Sequence, residues 1–277
     1  MDKIEKYYQN KTILITGAAS GIGKRFAEKV SLLTETTLIL WDRNHEELKQ
    51  LSSTLQSSSN TVTTDIDISD PDQIRVESDK LVKRNLIPDI IINCAGIVIG
   101  KMFHEHSQDE IHRTLQINVT GSMWVAHSFL GQMIQRGSGH IVNIGSASGY
   151  IGNPKMSVYA ASKWAVLGWS ESLRLEMKQM KTGVDVTTVI PSFINTGMFD
   201  GVKPPLLTPI LQTDDIVNRM LKGIALKKRE IKAPFIVHIV PFLKALLPSI
   251  LFDWLAGNLF GVYHSMNSFT GRKPKSS

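Results

Sequence analysis

The chain has 277 residues, enough for one large domain, and its 42% hydrophobic and 20% charged residues describe a folded globular protein rather than a disordered one. A single cysteine, Cys94, excludes an intrachain disulfide framework and points to a reducing compartment. The formal charge of +6 is dispersed, which suits an anionic partner such as a nucleotide phosphate or a membrane surface, and no nucleic-acid-binding motif accompanies it.

The opening "MDKIEKYYQNK" carries no apolar stretch of the secretory kind, so a cytoplasmic protein is expected. Short β-branched runs then alternate with helix-period segments. "TILIT" (12–16), "TTLIL" (36–40), "NTVTT" (60–64), "DIIIN" (89–93), "HIVNI" (140–144) and "VDVTTVI" (184–190) read as strands buried on both faces. Helices are expected over 23–33, 46–56, 71–85, 108–136 and 158–181. This alternation predicts an α/β fold: a Rossmann-like, doubly wound parallel sheet with helices on both faces and a ligand crevice beyond the carboxyl ends of the strands.

After residue 233 the character changes. "APFIVHIVPFLKALLPSILFDWLAGNLFGVYHSM" is strongly apolar, yet Pro234, Pro241, Pro248, Lys244 and Asp253 interrupt it, so it lacks the run of about 18 apolar residues that a membrane span requires. Two readings stay open. The segment packs over the core or a subunit interface, or it lies on a membrane surface through 233–262, with Ile250, Leu251, Trp254, Leu255 and Phe260 near one side of a short helix and the basic tail "GRKPKSS" behind.

The first strand runs into "TGAASGIG" and then into a helix. Gly17, Gly21 and Gly23 let the backbone turn and approach a pyrophosphate, whose charge is favoured at the free amides of the helix start around Ser20 and Ile22. The turn lacks the Gly-Lys-Ser/Thr end of a nucleoside-triphosphatase loop. At the end of the second strand, Asp42 stands nineteen residues after Gly23, where a carboxylate accepts both hydroxyls of an adenosine ribose and repels a 2′-phosphate. NAD is therefore the preferred cofactor; Arg43 beside it keeps NADP open. Asp65 and Ile66 follow the third strand as candidate adenine contacts, and Asn93, Ala95 and Gly96 in "NCAG" allow close packing against the cofactor. Cys94 reads as a small core residue rather than a nucleophile.

In "SVYAASKWAVLG" (157–168), Tyr159 and Lys163 are spaced to share one helical face. A free tyrosine ionises at about pH 10, too high for a base at neutral pH, and a neighbouring cation favours the phenolate. Tyr159 is thus the candidate general acid/base and Lys163 its electrostatic tuner, while a hydroxyl such as that of Ser146 suits hydrogen bonding to a substrate oxygen as its charge develops. His104, Glu105 and His106, with His112 beyond, lack a dependable third metal ligand and read as pocket lining, so no metal is expected.

Together, "TGAASGIG", "NCAG", Asn118 in "INVTG", Ser146 in "IGSAS" and the Tyr159–Lys163 pair in "YAASK" resemble the short-chain dehydrogenase/reductase family over about residues 10–200. The apolar C-terminal stretch resembles its retinol and 17β-hydroxysteroid dehydrogenase branch. The resemblance implies that Lys163 also holds the nicotinamide ribose and that Asn118 holds a water linking Lys163 to solvent. It implies cofactor contacts from Pro191, Ile194 and Thr196 too, although Ser192 stands where the family usually has glycine. It further implies a mobile substrate lid over about 192–215, with an apolar pocket from Met198, Phe199, Leu206 and Leu207, and a homodimer or homotetramer through the helices at 108–136 and 158–181.

The expected organisation is a dinucleotide-binding catalytic domain over 1–232 with an apolar extension over 233–277. The expected activity is NAD-linked transfer of hydride to or from a hydrophobic secondary alcohol or ketone, or a lipidic alcohol: a retinoid, steroid or long-chain lipid. The alternatives are a 3-ketosphinganine-type reductase using NADPH and a non-catalytic nucleotide-binding regulator.

Overall fold

A computed structural model of the chain describes residues 2–55 and 60–272; Gln56 and the tail after Arg272 lie outside the described residues. Strands β1 (Lys11–Thr16), β2 (Thr36–Asp42), β3 (Asn60–Asp65), β4 (Ile90–Asn93), β5 (Gly139–Ile144), β6 (Val184–Pro191) and β7 (Glu230–Ala233) form one sheet in the order β3-β2-β1-β4-β5-β6-β7. Every pairing is parallel. The chain winds outward from β1 to β3 and then crosses back to β4, so a crevice opens between the carboxyl ends of β1 and β4, where the winding reverses.

Period-2 alternation divides each apolar strand between two helical layers. Ile13, Ile15, Leu38 and Leu40 face Phe26 and Val30 of α2 (Gly21–Leu33), Leu48 and Leu51 of α3 (His45–Thr54), and Met220 and Ile224 of a later helix (Thr213–Ala225). Leu14, Ile39, Ile91 and Ile141 face the opposite layer, formed by Pro71–Lys83, Ser122–Arg136 and Ser157–Gln179 through Ile74, Leu81, Phe129, Met133, Leu173 and Met177. In chain order with α1 (Lys3–Tyr8), these helices are α4 (Pro71–Lys83), α5 (Gln108–Leu115), α6 (Ser122–Arg136), α7 (Ser157–Gln179) and α8 (Thr213–Ala225).

The structure adds what the sequence pattern did not show. α1 is pinned to the sheet by Tyr7, whose hydroxyl meets His140 Nδ1 at 2.7 Å. The helix expected over 108–136 is broken at Gln116–Gly121 by one π-helical turn, a feature frequent at functional sites. Gly121 there packs on the carbonyl of Ile68, and a Cβ would lie 2.4 Å from that oxygen.

Beyond β7, the apolar segment forms α9 (Ile236–Leu246), α10 (Ser249–Trp254) and a π turn at Leu255–Leu259. The expected apolar side of this segment is not all packed inward. Phe252 and Ala256 are buried, whereas Ile250 is 85% exposed and Leu251 and Trp254 also face outward. Among the described residues, no helix is long and apolar enough to cross a membrane.

Candidate active site

The Gly-rich turn closes the end of β1 because glycine alone fits its contacts. Gly17 has φ +67° and packs so tightly on Ala95 that a Cβ would lie 2.8 Å from its Cα, while a Cβ on Gly23 would lie 2.4 Å from the carbonyl oxygen of Gly17. Gly23 thus shapes the turn from behind rather than lining the crevice. Ser20, at the start of α2, makes no side-chain cap. Among the described residues, the amides of Gly21 and Ile22 meet no acceptor, and both residues line the crevice beside Gly17 and Ser20. Free amides at a helix start attract an anion, so this turn fits a dinucleotide pyrophosphate.

Asp42 stands at the crevice beside Arg43, its carboxylate fixed by backbone amides: Ala19 N donates to Oδ2 and Asn44 N to Oδ1, each at 3.0 Å. Ile66 is buried and lines the crevice as expected. Asp65 does not: it ends the edge strand β3 in an exposed position, and the turn that follows brings Asp67 into the crevice instead. Burial works against ionisation of Asp67, but the amide and hydroxyl of Ser69 and the charges of Arg113 and Arg43 outweigh it and hold the carboxyl below its ordinary range. Asp67 is the carboxylate nearest the role expected of Asp65. Sequence spacing beyond a strand end cannot fix it, since the turn decides.

Ala95 and Gly96 line the crevice, but Asn93 lies beneath it. Its side-chain amide donates to the carbonyl of Ser122 at 3.2 Å and to Asn143 Oδ1 at 2.9 Å, and Asn143 in turn donates to Ser170 at 2.9 Å. This buried chain of amides ties β4 and β5 to α6 and α7. Cys94 borders the crevice, yet burial pushes its thiol up to about 12, which leaves it unreactive.

Ser146, Tyr159 and Lys163 meet where the crevice reaches β5 and α7. Ser146 caps a short turn by accepting from Ser148 N at 3.1 Å, and its hydroxyl lies near enough to the phenol of Tyr159 to favour its ionisation. Burial nevertheless pushes Tyr159 up to about 12. The expected lowering by Lys163 is not met in this arrangement, because Lys163 Nζ donates to the Ile144 carbonyl at 2.8 Å and lies 5.6 Å from the phenol ring centroid. Burial also brings Lys163 down to about 8, so its ammonium is charged at neutral pH but gives up its proton readily above it.

Asn118 sits in the π turn and is fully buried. Its side chain accepts from Ile97 N at 2.8 Å and donates to the Ile97 carbonyl at 2.9 Å and to Ser162 Oγ at 3.0 Å. It therefore clamps the loop after β4 against α7 and does not line the crevice. Asn118 and Lys163 both approach Gly96, where a Cβ would lie 3.3 Å from Asn118 Oδ1 and 3.9 Å from Lys163 Nζ.

Pro191, Ile194 and Thr196 line the crevice opposite the Gly-rich turn. Ser192, in the place where glycine was expected, has a buried hydroxyl with no hydrogen-bond partner among the described residues. A second, apolar cavity opens between the loop after β6 and the C-terminal helices, lined by Phe193, Pro205 and Leu206 on one side and Val237, Val240, Leu243 and Phe252 on the other. Met198 lines the cofactor crevice instead, and Leu207 is exposed. Crevice and cavity share Ser146, Ser192 and Phe199.

A doubly wound sheet with a Gly-rich turn, a carboxylate at the end of β2 and a Ser–Tyr–Lys cluster whose serine also borders an apolar cavity fits a nicotinamide-dinucleotide oxidoreductase. The short chain dehydrogenase family profile matches residues 11–206, and the chain belongs to that family. It is 34% identical over 281 residues to epidermal retinol dehydrogenase 2 of Mus musculus, covering 99% of this chain and 90% of that protein. It is 30% identical over 250 residues to estradiol 17-beta-dehydrogenase 11 of Homo sapiens, covering 89% and 82%. Among solved structures, it resembles a short-chain dehydrogenase/reductase from Burkholderia phymatum in complex with NAD, at TM-score 0.75 and 25% identity, covering 84% of this chain and 92% of that one. A short-chain dehydrogenase from Sphingobium yanoikuyae in complex with NADPH gives TM-score 0.73 and 28% identity, covering 83% and 90%. The chain is accordingly an NAD(P)-dependent oxidoreductase acting on CH–OH groups.

Proposed function

We propose that this enzyme prefers NAD and interconverts a hydrophobic secondary alcohol and its ketone, or a lipidic alcohol and its carbonyl, with a retinoid, steroid or long-chain lipid as substrate. The observation that carries this reading is the junction at Ser146, where the dinucleotide crevice opens into an almost wholly apolar cavity. When bound, the nicotinamide ring supplies or accepts the hydride. Tyr159 gives a proton to the substrate oxygen in reduction and takes it in oxidation, and Ser146 hydrogen-bonds the same oxygen as charge develops on it. Lys163 holds the ribose hydroxyls and exchanges protons near its lowered pKa of about 8. A phenol at about 12 keeps its proton at neutral pH, which suits the reductive direction, so oxidation is expected to quicken with rising pH. Asp42 supports NAD, because a carboxylate held by two amides repels a 2′-phosphate.

The test is a panel of secondary alcohols of graded apolar size assayed with NAD and with NADP. Activity rising with apolar size and faster with NAD supports the reading. Activity confined to small polar alcohols opposes it, as does a strict need for NADP.

The outward faces of the C-terminal segment support a second element of the proposal, peripheral contact of an otherwise cytoplasmic protein with a membrane. Phe235, Phe242, Leu246, Ile250 and Trp254 are exposed together on α9, α10 and the residue before α9, and their neighbours wall the apolar cavity. Flotation with anionic liposomes should be lost in a Phe235→Glu/Ile250→Glu double variant, whereas unchanged flotation, or none in the wild type, would remove this element. Assembly into a homodimer or homotetramer through α5–α6 and α7 is proposed as well. The exposed Trp164 and Leu175 on α7 support it, and sedimentation as a monomer at micromolar concentration would oppose it.

A further inference from the structure

The C-terminal strap returns to the cofactor crevice. After α10 the chain passes a buried Met266, packs Phe269 against Gly100 so closely that a Cβ there would lie 2.2 Å from the ring, and bonds Thr270 N and Gly271 N to the Asp200 carbonyl at 2.9 and 3.2 Å. The next residue, Arg272, reaches across the crevice. Its Nη1 donates to Ser20 Oγ at 2.9 Å and its Nη2 to the Thr196 carbonyl at 3.1 Å, which links the start of α2, the loop after β6 and the strap.

This placement adds positive charge where the fold already concentrates it. The guanidinium stands at the positive end of α2, against Gly21, whose amide and that of Ile22 meet no acceptor; among the described residues no carboxylate lies within ion-pair distance of it, although the Asp200 carboxylate flanks Gly197 beside it. A guanidinium carries five N–H donors, and only two acceptors are provided here. Donors converging from a helix start and an arginine fork form a site for an anion with several oxygens. The position selects which anion. Asp42 and Arg43 mark the adenosine ribose end of the crevice and Tyr159 and Lys163 the nicotinamide end, and Arg272 lines the same crevice at the Gly-rich turn, against Gly21, Ser20 and Thr196.

We propose that Arg272 is a pyrophosphate clamp, delivered by the C-terminal strap, that binds the dinucleotide across the Gly-rich turn. The proposal rests on the nicotinamide-dinucleotide reading of the crevice and deepens it. Because the strap is bonded to Asp200 in the loop after β6, the same clamp fastens that loop and the strap over the bound cofactor.

Calorimetric binding of NADH, NADPH, ADP and adenosine to the full-length wild type, Arg272→Ala and Arg272→Lys tests it. Arg272→Ala is expected to weaken NADH, NADPH and ADP alike by about 10- to 30-fold and leave adenosine unchanged, with Arg272→Lys recovering part of the loss as a point charge without the fork. Unchanged or tighter NADH and ADP binding by Arg272→Ala, while the wild type binds NADH, overturns the clamp alone. A loss confined to NADPH overturns the pyrophosphate assignment in favour of the 2′-phosphate, and an equal fall for adenosine overturns it in favour of a purely structural role. No nucleotide binding by the wild type overturns the dinucleotide reading and the clamp with it.

Discussion

Replacing Asp42 by asparagine removes one charge and almost no volume. The carboxylate accepts one backbone amide on each oxygen, from Ala19 and from Asn44, both at 3.0 Å, and each oxygen keeps a further lone pair for a ribose hydroxyl. In Asp42→Asn one of those oxygens becomes an NH2 group, so a ribose hydroxyl loses a charged acceptor, worth ~1.5–3 kcal/mol. NADH affinity is therefore expected to fall by about 10- to 100-fold. NADPH is expected to move the other way, because a repelling charge leaves its 2′-phosphate while Arg43 remains beside it. The same change sets an NH2 donor against one backbone N–H, a local penalty of ~1–3 kcal/mol that lowers the unfolding midpoint but treats both cofactors equally. Titration of both reduced cofactors into wild type and variant separates the two effects. A preference ratio unchanged within about threefold, with both affinities lowered together, would refute the ribose reasoning and leave Asp42 as a brace of the Gly-rich turn.

Two further predictions follow from the frame of the site. Thr187 donates to the Lys228 carbonyl at 2.6 Å and so accepts from His140 Nε2–H, which leaves Nδ1 to accept from Tyr7; burial and Lys227 hold this neutral imidazole down to about 4, against the pull of Asp185. The unfolded chain takes up that proton below about pH 6.5 and the folded chain only below about 4, so stability is complete above 6.5 and falls by up to ~3 kcal/mol as pH drops toward 4. Urea unfolding at pH 7.5 and 5 should show this slope in wild type and a shallower one in His140→Gln; equal slopes would exclude His140 as its source. Gly23→Ala drives a Cβ into the Gly17 carbonyl, backbone against backbone, and should cost at least ~2 kcal/mol and most NADH affinity, whereas Gly131→Ala in α6, with no atom within 4 Å, should stabilise by ~0.5–1 kcal/mol. Similar unfolding midpoints for the two variants would contradict the packing argument.

The six β-branched runs were each found as strands within a residue or two of the expected place; five are covered on both faces, where no polar alternation is needed, but "NTVTT" forms the exposed edge strand β3 and is not buried as expected. Strand β7 escaped notice since "EIKA" is a short edge strand with charged residues, and its register comes from pairing with β6. Gly17, Gly21, Ser146, Tyr159 and Lys163 were legible for a different reason: local spacing on one turn or one helix fixes where each can point. Long-range geometry hid the rest. Asp67 takes the crevice position expected of Asp65 because of the turn after β3, and Asn93 and Asn118 are consumed by buried hydrogen bonds that no spacing announces. Arg272 reaches Ser20 from 252 residues away in the chain, a contact only the folded strap can make. The apolar pattern of 233–262 likewise identified a segment of unusual character but not which of its side chains would face the cavity and which would face outward.

The central claim is that Tyr159, buried beside Ser146 at the junction of crevice and cavity, moves the proton that accompanies hydride transfer. The most direct test compares wild type with Tyr159→Phe, reading NADH affinity by calorimetry and turnover of the best hydrophobic alcohol from the panel by NADH absorbance. The account predicts unchanged NADH affinity with turnover reduced by a factor of 100 or more, on the order of the loss of a general acid/base. Turnover within about threefold of wild type would contradict it, and would move the proton transfer to another group in the cavity.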